Sequence, residues 1–141
     1  MAIECAPNMI EAYQAPGEVH EGDALDFAYE PFDVAILFLT LMFMPVAARG
    51  VFVSRLRQLM RPGGALIIVD KCVPPAGYEG VVNARLTLAG KLQAAVPGDD
   101  IVTKEIALAG IQRPLAITEL GDGAIEMSRY GDFAGWIVPA G

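Results

Sequence analysis

The chain has 141 residues, 54% of them hydrophobic and 19% charged, which suffices for one domain with a real core and argues against disorder. Its formal charge of −7 argues against general affinity for nucleic acid, because phosphate neutralisation needs clustered Lys and Arg. Cys5 and Cys72 match no zinc or CxxC spacing, so two free thiols and no metal site are expected.

In chain order, residues 1–4 read as the tail of a strand ending in Glu4. Pro7 can open a helix, with Met9, Ile10 and Tyr13 as its short apolar face before Pro16-Gly17 stops it. Residues 18–21 read as a second short strand leading into Gly22-Asp23-Ala24, and 26–31 as a loop. The longest apolar run follows, from Phe32 to Pro45. Its first half reads as a strand buried on both faces, since it shows no period-two alternation. Its second half reads as a loop and helix entry, with Pro45 tolerated at a first turn.

Residues 46–60 carry Phe52, Leu56, Leu59 and Met60 at helical spacing, with Arg55, Arg57 and Arg61 near the end. Pro62-Gly63-Gly64 is expected to stop that helix, and 65–69 to form a second buried strand ending at Asp70-Lys71. Strand, helix and strand make a parallel βαβ unit, and ligands bind beyond the carboxyl ends of such strands. A site is therefore expected near Phe38 to Phe43. Residues 78–96 and 101–108 read as helices, the second capped by Asp99 or Asp100 and closed by Gly110. Residues 112–120 read as a loop, and 124–129 with 133–138 as an antiparallel hairpin.

A membrane reading has to be weighed against this. The run from Val34 to Ala48 is about 15 residues and contains Thr40 and Pro45, whereas a spanning helix needs roughly 20. The N-terminus shows no basic and apolar signal pattern. The expectation is a cytoplasmic protein without a membrane span.

Three short stretches then take on meaning together: Glu4 with Pro7-Asn8-Met9-Ile10, Glu21-Gly22-Asp23-Ala24, and Arg61-Pro62-Gly63-Gly64-Ala65-Leu66. In them the sequence resembles the class I S-adenosylmethionine-dependent methyltransferases. Within that family the likeness is to the carboxy-S-adenosyl-L-methionine synthases, which act on the pathway to a modified tRNA wobble uridine. Residues 2–11, 21–23, 38–43 and 59–71 carry it, and beyond Lys71 it is loose. The resemblance implies a Rossmann-like α/β methyltransferase sheet, incomplete at the N-terminus, with a C-terminal antiparallel hairpin, all in one domain over residues 1–141.

It also implies S-adenosyl-L-methionine, or a derivative such as carboxy-S-adenosyl-L-methionine, as cofactor. Glu4 would hold the ribose hydroxyls and Asp23 would face the adenine amino group, with Cys5, Met9, Ala24, Phe38 and Leu39 also binding the cofactor. A carboxylate can accept from two hydroxyls at once, and an acceptor can read an exocyclic amine. No catalytic residue is assigned. The sequence departs from the synthases at Phe38, Thr87, Leu88 and Leu92, where they carry an asparagine, histidines and an arginine.

The family's first strand and glycine-rich loop should precede Glu4 by about 20 residues, where the sequence has only Met1-Ala2-Ile3. The strand beginning near Val34 is therefore expected to have an unpaired edge. Two expectations result. One is a methyltransferase, or part of one, acting on a small-molecule or tRNA-related acceptor. The other is a non-catalytic remnant serving as an interaction module or homodimer through the open sheet edge.

Overall fold

The computed structural model describes residues 1–140, which fall into two compact units, 1–30 and 31–140. In the first, β1 (Ala2–Glu4) and β2 (Val19–Glu21) pair in parallel, with Glu4 level with Glu21. Between them lies α1 (Pro7–Glu11), which begins on Pro7 because proline's missing N–H is not needed in a first turn.

The second unit holds β3 (Phe32–Phe38), a 3₁₀ turn (Leu41–Phe43), α2 (Val46–Leu59) and β4 (Met60–Lys71). These are followed by α3 (Tyr78–Gln93), α4 (Gly98–Ala107), a second 3₁₀ turn (Ile117–Leu120), β5 (Ile125–Tyr130) and β6 (Phe133–Pro139). The sheet order is β3-β4-β6-β5, with β3 and β4 parallel and β6 antiparallel to both of its neighbours. The expected β-α-β unit and terminal hairpin are both present, and β3 lies at the sheet edge. No helix among the described residues is long and apolar enough to cross a membrane.

One face of this sheet is the core. Leu66 and Ile68 of β4, Trp136 and Val138 of β6, and Phe52, Val53 and Leu56 of α2 are all buried. The opposite face is not. Val34, Ile36 and Phe38 are 57%, 65% and 65% exposed, so β3 is not the doubly buried strand that its composition predicts. An unbroken apolar run shows that a strand can be covered on both faces, but not that anything covers it.

Pro62-Gly63-Gly64 also differs from its expected role. The helix ends at Leu59, and these residues lie inside β4, where the register against β3 shifts between Phe32↔Met60 and Val34↔Ala65. Gly64 is required there, because a β-carbon would collide with the carbonyl oxygen of Asp33. In α4, Asp99 and Asp100 sit in the first turn, where they complement the helix dipole; the N-cap position is Pro97.

The hairpin turn is docked on α3. The Asp132 N–H donates to Thr87 Oγ1 at 2.9 Å, and Gly131 has φ +56°. A β-carbon on Gly131 would run into Thr87 Oγ1. Gly131→Ala is therefore expected to destabilise the chain by about 1–3 kcal/mol, through overpacking and an unfavourable backbone region. Urea denaturation checks this; an unchanged midpoint would show that the turn is free to move off the helix.

Candidate cofactor site

In the first unit, the parallel register sets Glu4 beside Glu21, so Glu4 and the Gly22-Asp23 turn stand at the same carboxyl end of two neighbouring strands. Glu4 Oε1 accepts the N–H groups of Cys5 and Ala6, both at 2.9 Å, which fixes the carboxylate over the entry to α1. Asp23 Oδ1 accepts the Leu25 N–H at 2.8 Å, and the Asp23 carbonyl accepts from Asp26 and Phe27. These are the local bonds that make an Asp turn rigid. The Ala24 carbonyl takes the Tyr29 hydroxyl at 2.9 Å. Cys5 and Met9 are exposed, and Ala24 is half-buried. His20 is half-exposed on β2, with its ring 5.8 Å from that of Phe27.

In the second unit, Phe38 ends β3 and Leu39 follows with φ +52°, one of two non-glycine residues in the left-handed region among those described. Left-handed backbone is unfavourable for a leucine and persists only where its surroundings impose it. The Leu39 N–H is tied to the Val69 carbonyl at 2.8 Å, and Thr40 Oγ1 donates to the Phe38 carbonyl at 3.1 Å.

The turn after Leu39 is held from both sides by buried charges. Asp70, fully buried at the end of β4, accepts the Leu41 and Met42 N–H groups through Oδ2 at 2.8 and 3.3 Å. Its Oδ1 accepts the Lys71 N–H at 2.8 Å. Burial pushes the Asp70 carboxyl above its ordinary range, opposed by these N–H donors and by Arg49. Arg49, also fully buried, donates to the carbonyls of Met42 and Met44 on the other side of the turn. It extends to the carbonyls of Arg113 and Pro114 and pairs with Glu119 at 2.9 Å.

Neither residue stands out in the sequence as a device for shaping the loop. In the sequence Asp70 simply ends an apolar run and Arg49 follows one. The one available hint was a lone Arg four residues after a proline within apolar surroundings.

Lys71 is also engaged, with Nζ 3.0 Å from Gln112 Oε1 and 3.7 Å from Glu105 Oε2. Lys91 sits 2.6 Å from the same Glu105, whose carboxyl it holds below its ordinary range. Both cysteines are free, Cys5 exposed and Cys72 buried. Among the described residues no cluster of His, Cys, Asp and Glu could hold a metal. A cleft of about 420 Å³ between α2 and the second 3₁₀ turn, lined by Gly50, Ser54, Arg57 and Leu120 among others, contains none of the residues expected to bind a cofactor.

A sequence family described as a methyltransferase domain matches residues 1–68. The carboxy-S-adenosyl-L-methionine synthase of Pseudomonas fluorescens (strain Pf0-1) is 33% identical over 104 residues, covering 74% of this chain and 42% of that protein. The structure of human N-acetylserotonin methyltransferase in complex with SAM is similar at a TM-score of 0.54, with 12% identity, over 88% of this chain and 34% of that one. N-methyltransferase NodS from Bradyrhizobium japonicum WM9 is similar at 0.52, with 12% identity, over 98% of this chain and 71% of that one.

The fold is that of the class I S-adenosylmethionine-dependent methyltransferases, with an incomplete Rossmann-like sheet, and residues 1–68 are similar in sequence to a methyltransferase domain. Within that class its sequence is similar to the carboxy-S-adenosyl-L-methionine synthases. The chain spans about two fifths of the length of the curated relatives it matches.

Proposed function

We propose that the chain is a methyltransferase, or part of one, that uses S-adenosyl-L-methionine or a derivative such as carboxy-S-adenosyl-L-methionine. The observation that carries this reading is the placement of Glu4 and Asp23 at one end of the parallel β1–β2 pair. Glu4 fits the ribose of such a cofactor. Two backbone N–H groups fix its carboxylate in place, and a carboxylate is an acceptor suited to a pair of hydroxyls. Asp23 and Ala24 would meet the adenine, with Cys5 and Met9 nearby in sequence on the same unit. On the second unit, Phe38 and Leu39 are the proposed cofactor residues.

The sulfonium of the cofactor brings an already activated methyl group. What the protein must add is chiefly alignment of acceptor and methyl, and a rigid loop serves that purpose. A small-molecule acceptor is the proposal, with a tRNA-related one as its alternative. Cytoplasmic residence and self-association on the free side of β3 belong to the same reading.

Calorimetric titration with S-adenosyl-L-methionine and S-adenosylhomocysteine tests it. Glu4→Ala removes charged hydrogen bonds worth about 1.5–3 kcal/mol, so affinity should fall roughly 10- to 150-fold. Unfolding curves should hardly change, because Glu4 is only half-buried. Millimolar or weaker binding by the folded parent chain would sink the proposal.

A further inference from the structure

The cleft of about 420 Å³ between α2 and the second 3₁₀ turn lies wholly within the second unit and includes none of the proposed cofactor residues. Gly50 keeps it open at a cost to the helix, because a glycine inside a helix is less stable there than an alanine. Neither backbone nor packing asks for this glycine. It is not among the glycines with positive φ, and a β-carbon on it would meet only the Glu119 carbonyl oxygen, at an ordinary 3.9 Å. Gly64 and Gly131, by contrast, leave no room for one. A longer side chain at position 50 would extend beside Glu119, which also lines the cleft.

The uncompensated charge in the cleft is positive, although the chain as a whole carries −7. Glu119 is neutralised there, with Oε2 paired to Arg49 at 2.9 Å and Oε1 accepting the Ala116 N–H at 2.8 Å. Arg57, in the last turn of α2, is fixed by donating from Nη1 to the Asp122 carbonyl at 2.9 Å. Arg49, Arg61 and Arg129 each hold a carboxylate, but among the described residues none pairs with Arg57. Beside it, Ser54, Gln58 and Thr118 offer hydroxyl and amide groups that both donate and accept.

We propose that this cleft binds a small polyhydroxylated molecule carrying one anionic group, a phosphate or a carboxylate. The guanidinium of Arg57 meets the anion, since its planar fork presents paired donors to either group. Ser54, Gln58 and Thr118 take the hydroxyls. The volume falls within the roughly 300–1,000 Å³ of small-molecule pockets and exceeds what a bare ion fills.

Titration of the ¹⁵N-labelled full chain with glycerol 3-phosphate, glycerate and glycerol tests this. The resonances to follow are the Thr118, Leu120 and Gly121 amides and the Arg57 Nε–H. At least one of the two acids should shift them with millimolar or tighter affinity, and glycerol should bind at least tenfold more weakly than that acid. The tighter acid shows whether the anion is a phosphate or a carboxylate. Arg57→Met should stay folded by circular dichroism and bind that acid at least tenfold more weakly. Gly50→Leu should abolish binding by filling the cleft. Gly50→Ala should raise the melting temperature, because alanine is the better helix former and has room. No shift from either acid up to about 10 mM, or shifts that persist in Gly50→Leu, overturns the proposal. A Gly50→Ala chain that melts below the parent also overturns it, whether or not Gly50→Leu folds, because the fold itself would then need the glycine.

Discussion

Arg49→Ala is expected to destabilise the chain by about 3–5 kcal/mol, the range for breaking a buried ion pair from one side. For a chain of this size that corresponds to a fall of roughly 10–15 °C in melting temperature. The guanidinium is fully buried and donates to four backbone carbonyls as well as to Glu119. Its removal strands those acceptors and leaves Glu119, whose side chain is only 18% exposed, without its counter-charge. Arg49→Lys should recover only part of the loss, because one ammonium cannot span acceptors that a planar fork reaches together. Glu119→Gln should be milder, about 1–2 kcal/mol, since the carbonyl bonds remain. Urea denaturation of the three variants checks the order. A loss below about 1 kcal/mol for Arg49→Ala would mean that water enters and replaces the guanidinium.

The residues around Arg49 also show where sequence reading stops. The β3-α2-β4 unit was legible because local signals agree: an apolar run, a helical spacing from Phe52 to Leu59, and a second apolar run at Leu66 to Val69. Glu4 and Asp23 were legible as a pair through their resemblance to a family. That they share one end of a sheet depends on the Glu4↔Glu21 register, which no local pattern fixes.

Arg49 was not legible, because its strongest backbone acceptor, the Arg113 carbonyl at 2.8 Å, lies 64 residues away. A burial that depends on such a distant loop leaves no trace in the helix that carries the residue. The open face was missed for the converse reason. Hydrophobicity reports what a strand can bury, while exposure depends on which other elements arrive. Ile36 and Leu37 are adjacent and similar in character, yet one is 65% exposed and the other buried.

Asp70 tests whether the loop beyond β3 is held by charge. Asp70→Ala would leave the Leu41 and Met42 N–H groups without an acceptor at a site where Leu41 and Met42 are buried from water. The expected loss is about 2–4 kcal/mol from these unsatisfied donors. Asp70→Asn keeps one oxygen acceptor but presents an amide donor toward the Lys71 N–H, so its loss should be smaller, about 1–2 kcal/mol.

The pH dependence is the sharper readout. Burial raises the folded-state pKa of Asp70 above its ordinary 3.8, so the folded chain keeps this proton to a higher pH than the unfolded chain does. The Asp70 contribution is therefore most favourable below the ordinary carboxylate range. It declines as pH rises from there through the raised pKa, because in that interval the folded state binds more protons than the unfolded. Subtracting the Asp70→Asn stability curve from that of the parent should isolate this decline. A difference that instead grows with pH would mean that the three N–H donors and Arg49 outweigh burial, and that Asp70 is held as a carboxylate.

Either outcome can be set beside hydrogen exchange at Leu41 and Met42, whose amides should become labile in Asp70→Ala and stay largely protected in Asp70→Asn. If the amides loosen and S-adenosyl-L-methionine binding weakens with them, the left-handed Leu39 and the turn that follows it belong to the binding surface. If the amides loosen and binding is unchanged, the turn serves the core alone.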